Sequence, residues 1–170
     1  MLHILCVVLL SLVAGQYRAV SYSSSKACAG TPGASFLLDK VRCLPVQCFA
    51  DASSSDDLKF LQIECISHDW TSFFKTKYAN ASAPVIIQQL FLDQGCPGEP
   101  HQVIARVSGV CHTNTRHTLK NDGSILIETW LPSTSAACPG SPITSAIIPK
   151  TQVDGNCQMI SKFSVLQTTV

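Results

Sequence analysis

Three copies of Cys-x-Gly-x-Pro constrain this chain more than any other feature: "CAGTP" from Cys28, "CPGEP" from Cys96 and "CPGSP" from Cys138. In Cys-Pro-Gly-x, proline fixes φ at the first central position of a turn and glycine supplies the positive φ of the second, the type II pattern. Ala29 stands in for that proline in the first copy. The last proline of each copy lacks an N–H, so it can open a strand but cannot sit inside a hydrogen-bonded ladder. Each copy therefore reads as a turn that admits the chain to a strand. The spacing repeats as well: Cys28 and Cys43 are fifteen positions apart, Cys96 and Cys111 also fifteen, and Cys138 and Cys157 nineteen, each interval holding an apolar run. A recurring unit of turn, strand and return is implied, with pseudo-equivalent halves at 22–95 and 96–170 that carry four cysteines each. If the units are equivalent, the simplest pairing joins Cys28 to Cys43, Cys96 to Cys111 and Cys138 to Cys157, leaving Cys48 with Cys65, one of many pairings that eight cysteines allow.

The compartment follows from the start of the chain. Residues 2–14 form an apolar run without charge, followed by polar "QYR". That is the pattern of a secretory signal peptide, too short for a spanning helix. Small residues place cleavage after Gly15, with a site near Ala19 as the alternative, leaving one domain from residue 16 to 170. Removal of the signal takes Cys6 and leaves Cys28, Cys43, Cys48, Cys65, Cys96, Cys111, Cys138 and Cys157. An even number in an exported chain reads as four disulfides. The close Cys-x-x-Cys pairs of a zinc site do not occur in the sequence. Lys and Arg number 12 against 11 acids, and basic residues gather only at "KTK", 75–77. Nucleic acid and anionic membranes are poor partners for such a chain, and "KFSVLQTTV" at the end is too short and polar to anchor it.

Short β-favouring runs alternate with turn clusters: "SFLLD" from Ser35, "LKFLQIECI" from Leu58, "PVIIQQLFL" from Pro84, "QVIARVS" from Gln102, "SILIETWL" from Ser124, "TSAII" from Thr144 and "KFSVL" from Lys162. This predicts an all-β, mainly antiparallel, disulfide-rich domain, a two-sheet sandwich by preference or a threefold barrel built on the three turns. One short helix is expected within 68–81, where Trp70, Phe73, Phe74 and Tyr78 fall on overlapping turns. A hairpin is expected in "RHTLKNDGSILIETW", where Asn121, Asp122 and Gly123 tolerate positive φ and Leu119, Ile125, Ile127 and Trp130 lie on the flanks. "SYSSSK" reads as a flexible entry, and "ADASSSDD", 50–57, as an exposed loop.

Residues 110–166, with a Cys-His segment, an Asp-Gly-Ser hairpin, a Cys-x-Gly-x turn and a terminal Cys followed by Lys-Phe, resemble a group of secreted oomycete proteins and receptor-like kinase ectodomains. "CAGTP" followed by Cys43 and Cys48 matches the front end of that group. Ser164, where an aromatic is common after Phe163, and the long "LPSTSAAC" depart from it. The resemblance implies an extracellular ectodomain or a protein secreted into the apoplast, and it brings no established catalytic residues. The nearest string to an Arg-x-Leu-Arg host-entry signal, Arg42-Cys43-Leu44-Pro45, ends in the wrong residue.

Chemistry is sparse. No Gly-x-Ser-x-Gly elbow accompanies His68, His101, His112 and His117. His112 and His117, with His101 and Asp122 nearby, offer imidazoles for a metal, but five extended positions put the two rings on opposite faces, and no metal is expected. Glu64, Glu99, Glu128, Asp69 and Asp93 are candidates for a glycosidase pair only by residue type, and Asp56 and Asp57 belong to a solvated loop. Asn80-Ala81-Ser82 is the one complete N-glycosylation sequon. Trp70, Phe73, Phe74 and Tyr78 suit either the core or a sugar-stacking surface. The expectation is a secreted, monomeric binding protein without catalysis or cofactor, recognising an extracellular protein or glycan at a host or cell-wall surface. The alternatives are an inhibitor of extracellular hydrolases presenting "ADASSSDD" or "LPSTSAAC", a hydrolase with an unrecognised site, and a structural component of a cell wall or matrix.

Overall fold

A computed structural model describes residues 17–38, 43–51, 58–66, 69–132 and 138–166. The element order is β1 (Tyr17–Ser23), β2 (Ala34–Leu38), β3 (Val46–Ala50), β4 (Phe60–Ile66), α1 (Trp70–Lys77), β5 (Val85–Leu90), β6 (Gln102–Val107), β7 (Cys111–His112), β8 (Thr115–Leu119), β9 (Ile125–Thr129), β10 (Thr144–Ile148), β11 (Cys157–Gln158) and β12 (Ser161–Leu166). The fold is all-β, antiparallel and disulfide-rich, with one short α-helix. An eight-stranded sheet runs β11-β12-β5-β6-β2-β1-β4-β3, and a four-stranded sheet runs β10-β9-β8-β7. The threefold barrel is not formed, because the described strands make two separate sheets.

Two apolar layers hold the elements together. On one face of the large sheet, Phe74, Tyr78 and Ala81 pack on Tyr17, Ala19, Leu37, Val85, Ile87, Val103 and Ala105. On the other face, Ile125 of the small sheet meets Ile86 and Phe163, with Leu119, Ile127 and Ile148 around them. The helix forms where the aromatic spacing predicts it: Asp69 caps its start by accepting a hydrogen bond from Ser72 N at 3.0 Å. The segment "YRAVSYS", whose last three residues open the "SYSSSK" read from sequence as a flexible entry, is instead a central strand whose odd-numbered side chains are buried. Small Ser21 and Ser35 leave room beneath the helix for Tyr78, whose hydroxyl donates to Ser35 Oγ at 2.9 Å. Ser35 and Ser21 are themselves joined at 2.9 Å, so a buried phenol is satisfied by hydroxyls in place of water.

The large sheet is a duplication. Its first block, β3-β4-β1-β2, has the same order and pairing as its second, β11-β12-β5-β6. An offset of 68 positions carries Tyr17 to Val85, Cys28 to Cys96 and Ala34 to Gln102 without a gap. The junction between β2 and β6 is symmetric about the pair Phe36 and Ile104, themselves 68 apart, so a local dyad passes through that pair. The small sheet, β7 to β10, is inserted between β6 and β11 of the second block. β5 precedes residue 95 yet pairs with β6 and β12, so the strand repeat runs on other boundaries than 22–95 and 96–170.

All eight cysteines among the described residues are bonded, but in other pairs than the spacing suggested: Cys28 to Cys48, Cys43 to Cys65, Cys96 to Cys157 and Cys111 to Cys138, with Cα separations of 5.5, 5.7, 5.8 and 6.1 Å. The reason is strand length. Cys28 and Cys43 flank β2, Cys96 and Cys111 flank β6, and Cys138 and Cys157 flank β10. A strand of five residues spans about 17 Å, whereas a disulfide requires Cα atoms within about 7 Å. Cys48 and Cys65 fail as a pair because Cys48 lies near Gln62 on the facing strand, three residues from Cys65. The duplication reaches the disulfides too: Cys28 to Cys48 and Cys96 to Cys157 each tie a turn motif to the edge strand of its own block.

Candidate functional site

The three motifs share one backbone. Cys28, Cys96 and Cys138 have φ of 49°, 54° and 48°, and Gly30, Gly98 and Gly140 have φ of 80°, 70° and 66°. The glycines meet the type II expectation, and in each case the strand begins six positions after the cysteine. The left-handed cysteines were not foreseen. Such a conformation costs an L-residue about 1–2 kcal/mol and persists where the surroundings over-determine it; here each cysteine is tied through its sulfur to a second strand.

Two of the histidines lie inside the molecule. His112 and His117 are buried on the inner face of the small sheet. The expectation of opposite faces fails because Thr113 and Asn114, with φ of 50° and 56°, make a two-residue turn between β7 and β8. The turn interrupts the alternation and returns both rings to one side. His112 stacks on Tyr22 (centroids 4.4 Å apart) and Phe36 (5.4 Å), beside the local dyad. The Arg106 guanidinium lies 5.4 Å from the Phe36 ring and donates to His112 O at 3.5 Å. His117 Nδ1 is buried without a hydrogen-bond partner among the described residues. Burial first, and the charge of Arg106 second, push its pKa down to about 4. His117 therefore favours neutral imidazole, and His112 fills the space between the two sheets against Tyr22 and Phe36.

The acids are dispersed in structural roles. Glu64 pairs with Lys77 on the helix side of the large sheet, and Glu128 accepts from Arg116 Nε and Nη2 at 3.1 and 2.9 Å on the small sheet. Glu99 accepts from the Tyr17 hydroxyl at 3.2 Å, Asp69 caps α1, and Asp93 is exposed. Asp122 accepts from Ser124 N and Oγ inside the β8–β9 turn, bonds that hold its carboxyl below the usual range. Among the described residues no three of His, Cys, Asp and Glu gather in a way that could hold a metal ion. His68, Asp56 and Asp57 lie outside the described residues, as do most of "ADASSSDD" and "LPSTSAAC".

Of the four helix aromatics, Phe74 and Tyr78 are core residues, while Trp70 and Phe73 are half-buried. Trp70, Thr71, Lys75, Ser164 and Leu166 line a cleft of about 120 Å³, below the roughly 300–1,000 Å³ of ordinary ligand sites. Asn80 and Ser82 are exposed on the turn after α1.

A feature not singled out in the sequence stands at the end of the second block. Leu92, Met159 and Ile160 are 80%, 77% and 42% exposed. They are neighbours, because Phe91 N donates to Ile160 O at 2.8 Å and Gly95 N to Met159 O at 2.9 Å. The Cys96 to Cys157 disulfide closes the base of this tip. Met159 sits at φ 56° in the two-residue turn between β11 and β12, a place that glycine or asparagine fills at less cost. The duplication supplies an internal control: the position matching Leu92 in the first block is Ser24, so the fold itself asks for no large apolar residue there. Two signals in the sequence pointed to the tip, an apolar residue just past a strand and "MI" in a tight turn. No helix among the described residues is long and apolar enough to cross a membrane. The chain matches no family model, no curated protein and no solved structure.

Proposed function

We propose that the chain is exported and acts outside the cell as a non-catalytic binding protein, using the tip formed by Leu92, Met159 and Ile160 to engage an apolar pocket on another protein. The four disulfides suit a stable protein in an oxidising extracellular compartment. The observation that carries the reading is the tip itself: three aliphatic side chains exposed together, on turns closed by a disulfide, one of them at a strained φ. Conformational strain of this kind concentrates at functional positions, and a pre-ordered tip loses little entropy on docking. Aliphatic side chains offer no aromatic platform for a sugar ring, and the tip lacks the basic cluster that an anionic lipid surface would require. The test is capture of extracellular proteins, from a host or from the producing cell's own surface, by biotinylated chain purified with its disulfides intact. A variant carrying Leu92→Ser, Met159→Ser and Ile160→Ser is expected to lose at least about tenfold in affinity, since buried anchors are worth about 1–2 kcal/mol or more each. Retention of the same proteins by that variant, or binding only to a glycan array, would overturn the reading. The rigid tip also fits a secreted hydrolase inhibitor, which loss of activity in extracellular hydrolases on mixing with the chain would reveal.

A further inference from the structure

The first block carries a groove that the tip does not explain. It measures about 350 Å³ and lies between the first turn motif and the α1–β5 connection. Its floor is apolar, from Pro32, Leu58 and Val107, all buried. Its rim carries the hydroxyls of Ser24, Thr31 and Ser82 and the amide of Asn80, and no charged residue lines it. A neutral sugar ring has the matching duality, a C–H face and a hydroxyl edge. Asn80 and Ser82 are exposed while Ala81 between them is 3% exposed, so the two sequon residues flank a buried anchor and both reach the groove. Gly33 sets its depth: a Cβ there would meet the Leu58 methyls at 2.6 and 2.7 Å. The duplication again separates fold from function. The counterparts of Ser24, Thr31 and Gly33 in the second block are Leu92, Glu99 and His101, so the uncharged, hydroxyl-rimmed groove belongs to the first block alone.

We propose that Asn80 carries an N-linked glycan and that its first sugars lie in this groove. The inference rests on the export half of the functional reading and not on the tip. In the transfer step, Asn80 Nδ2 forms a bond to C1 of a sugar carried on a lipid diphosphate. The C1–O bond to the diphosphate breaks, the electron pair leaves with the diphosphate, and the amide nitrogen gives up one proton to a base of the transferase. The seated sugars replace water over Leu58 and Val107 and shield the turn that Cys28 and Cys48 pin.

The experiment expresses the full chain in a eukaryotic secretory cell and weighs the secreted protein before and after enzymatic removal of N-glycans. A glycan on Asn80 is expected, lost in both Asn80→Gln and Ser82→Ala. Hydrogen exchange at Thr31, Gly33 and Val110 is expected to quicken several-fold after deglycosylation. Secreted chain without carbohydrate at Asn80 would overturn the site, and a glycan whose removal leaves exchange at those amides unchanged would overturn the seat. Failure of the chain to be secreted would overturn the export reading together with this inference, whereas loss of tip binding would leave it standing.

Discussion

Met159 and His117 show how single residues are held where they are least comfortable. Replacing Met159 with glycine removes a left-handed cost of about 1–2 kcal/mol and adds a backbone-entropy cost of about 0.5–1 kcal/mol. The expected result is a chain more stable by about 0.5–1 kcal/mol that binds its partner more weakly, measured by denaturant midpoint and titration together. His117 predicts a pH dependence. Its folded pKa of about 4 lies below the ordinary 6.5, so between those values the unfolded chain binds a proton that the folded chain refuses. Stability is therefore full above pH 6.5 and falls as pH drops toward 4, by about 3 kcal/mol. Urea unfolding at both ends of that window checks it, and His117→Leu should flatten the slope. The sequence named both histidines but hid their common face, because a two-residue turn inside a run of polar residues left no mark on the alternation.

Strands with apolar alternation were legible before the structure: β4, β5, β6, β9 and β10 fall within the runs expected of them, and β2 and β12 each begin one residue before theirs. β1 was not, because its buried positions are Ala19, Ser21 and Ser23 as well as Tyr17, small residues chosen by the helix above them. Nor were β7 and β11, which have two residues each. Under the proposed export, the placement of β1 favours one of the two expected cleavage sites. A cut after Ala19 would remove Tyr17 and Ala19, both buried at the centre of the large sheet, whereas a cut after Gly15 leaves the strand whole. Amino-terminal sequencing of secreted protein is expected to begin at Gln16; a start at Val20 would contradict the role given to β1. The disulfides rank by the chain they close. Cys96 to Cys157 spans 61 positions against 20 for Cys28 to Cys48, so the double Cys→Ser variant should cost about 4 kcal/mol in the first case and about 3 in the second.

At the scale of the molecule, two blocks of the same strand order meet at a dyad, and their differences at the groove and the tip have a physical reading. The inserted sheet covers the second block and reaches the dyad with His112. The first block keeps an uncharged groove beside Asn80, and the second trades Ser24 for Leu92 and builds an apolar tip. The repeat of Cys-x-Gly-x-Pro announced a duplication, and its turns were legible; its pairing was not, since spacing alone ignores the length of the strand between two cysteines. The tip is the proposed binding surface. Hydrogen exchange on the chain alone and in complex with its captured partner tests it most directly. Protection is predicted in 91–96 and 157–161, the two segments joined by Cys96 and Cys157, with the outer edges β3 and β10 unchanged. Protection at β3 or β10 with none at the tip would contradict it.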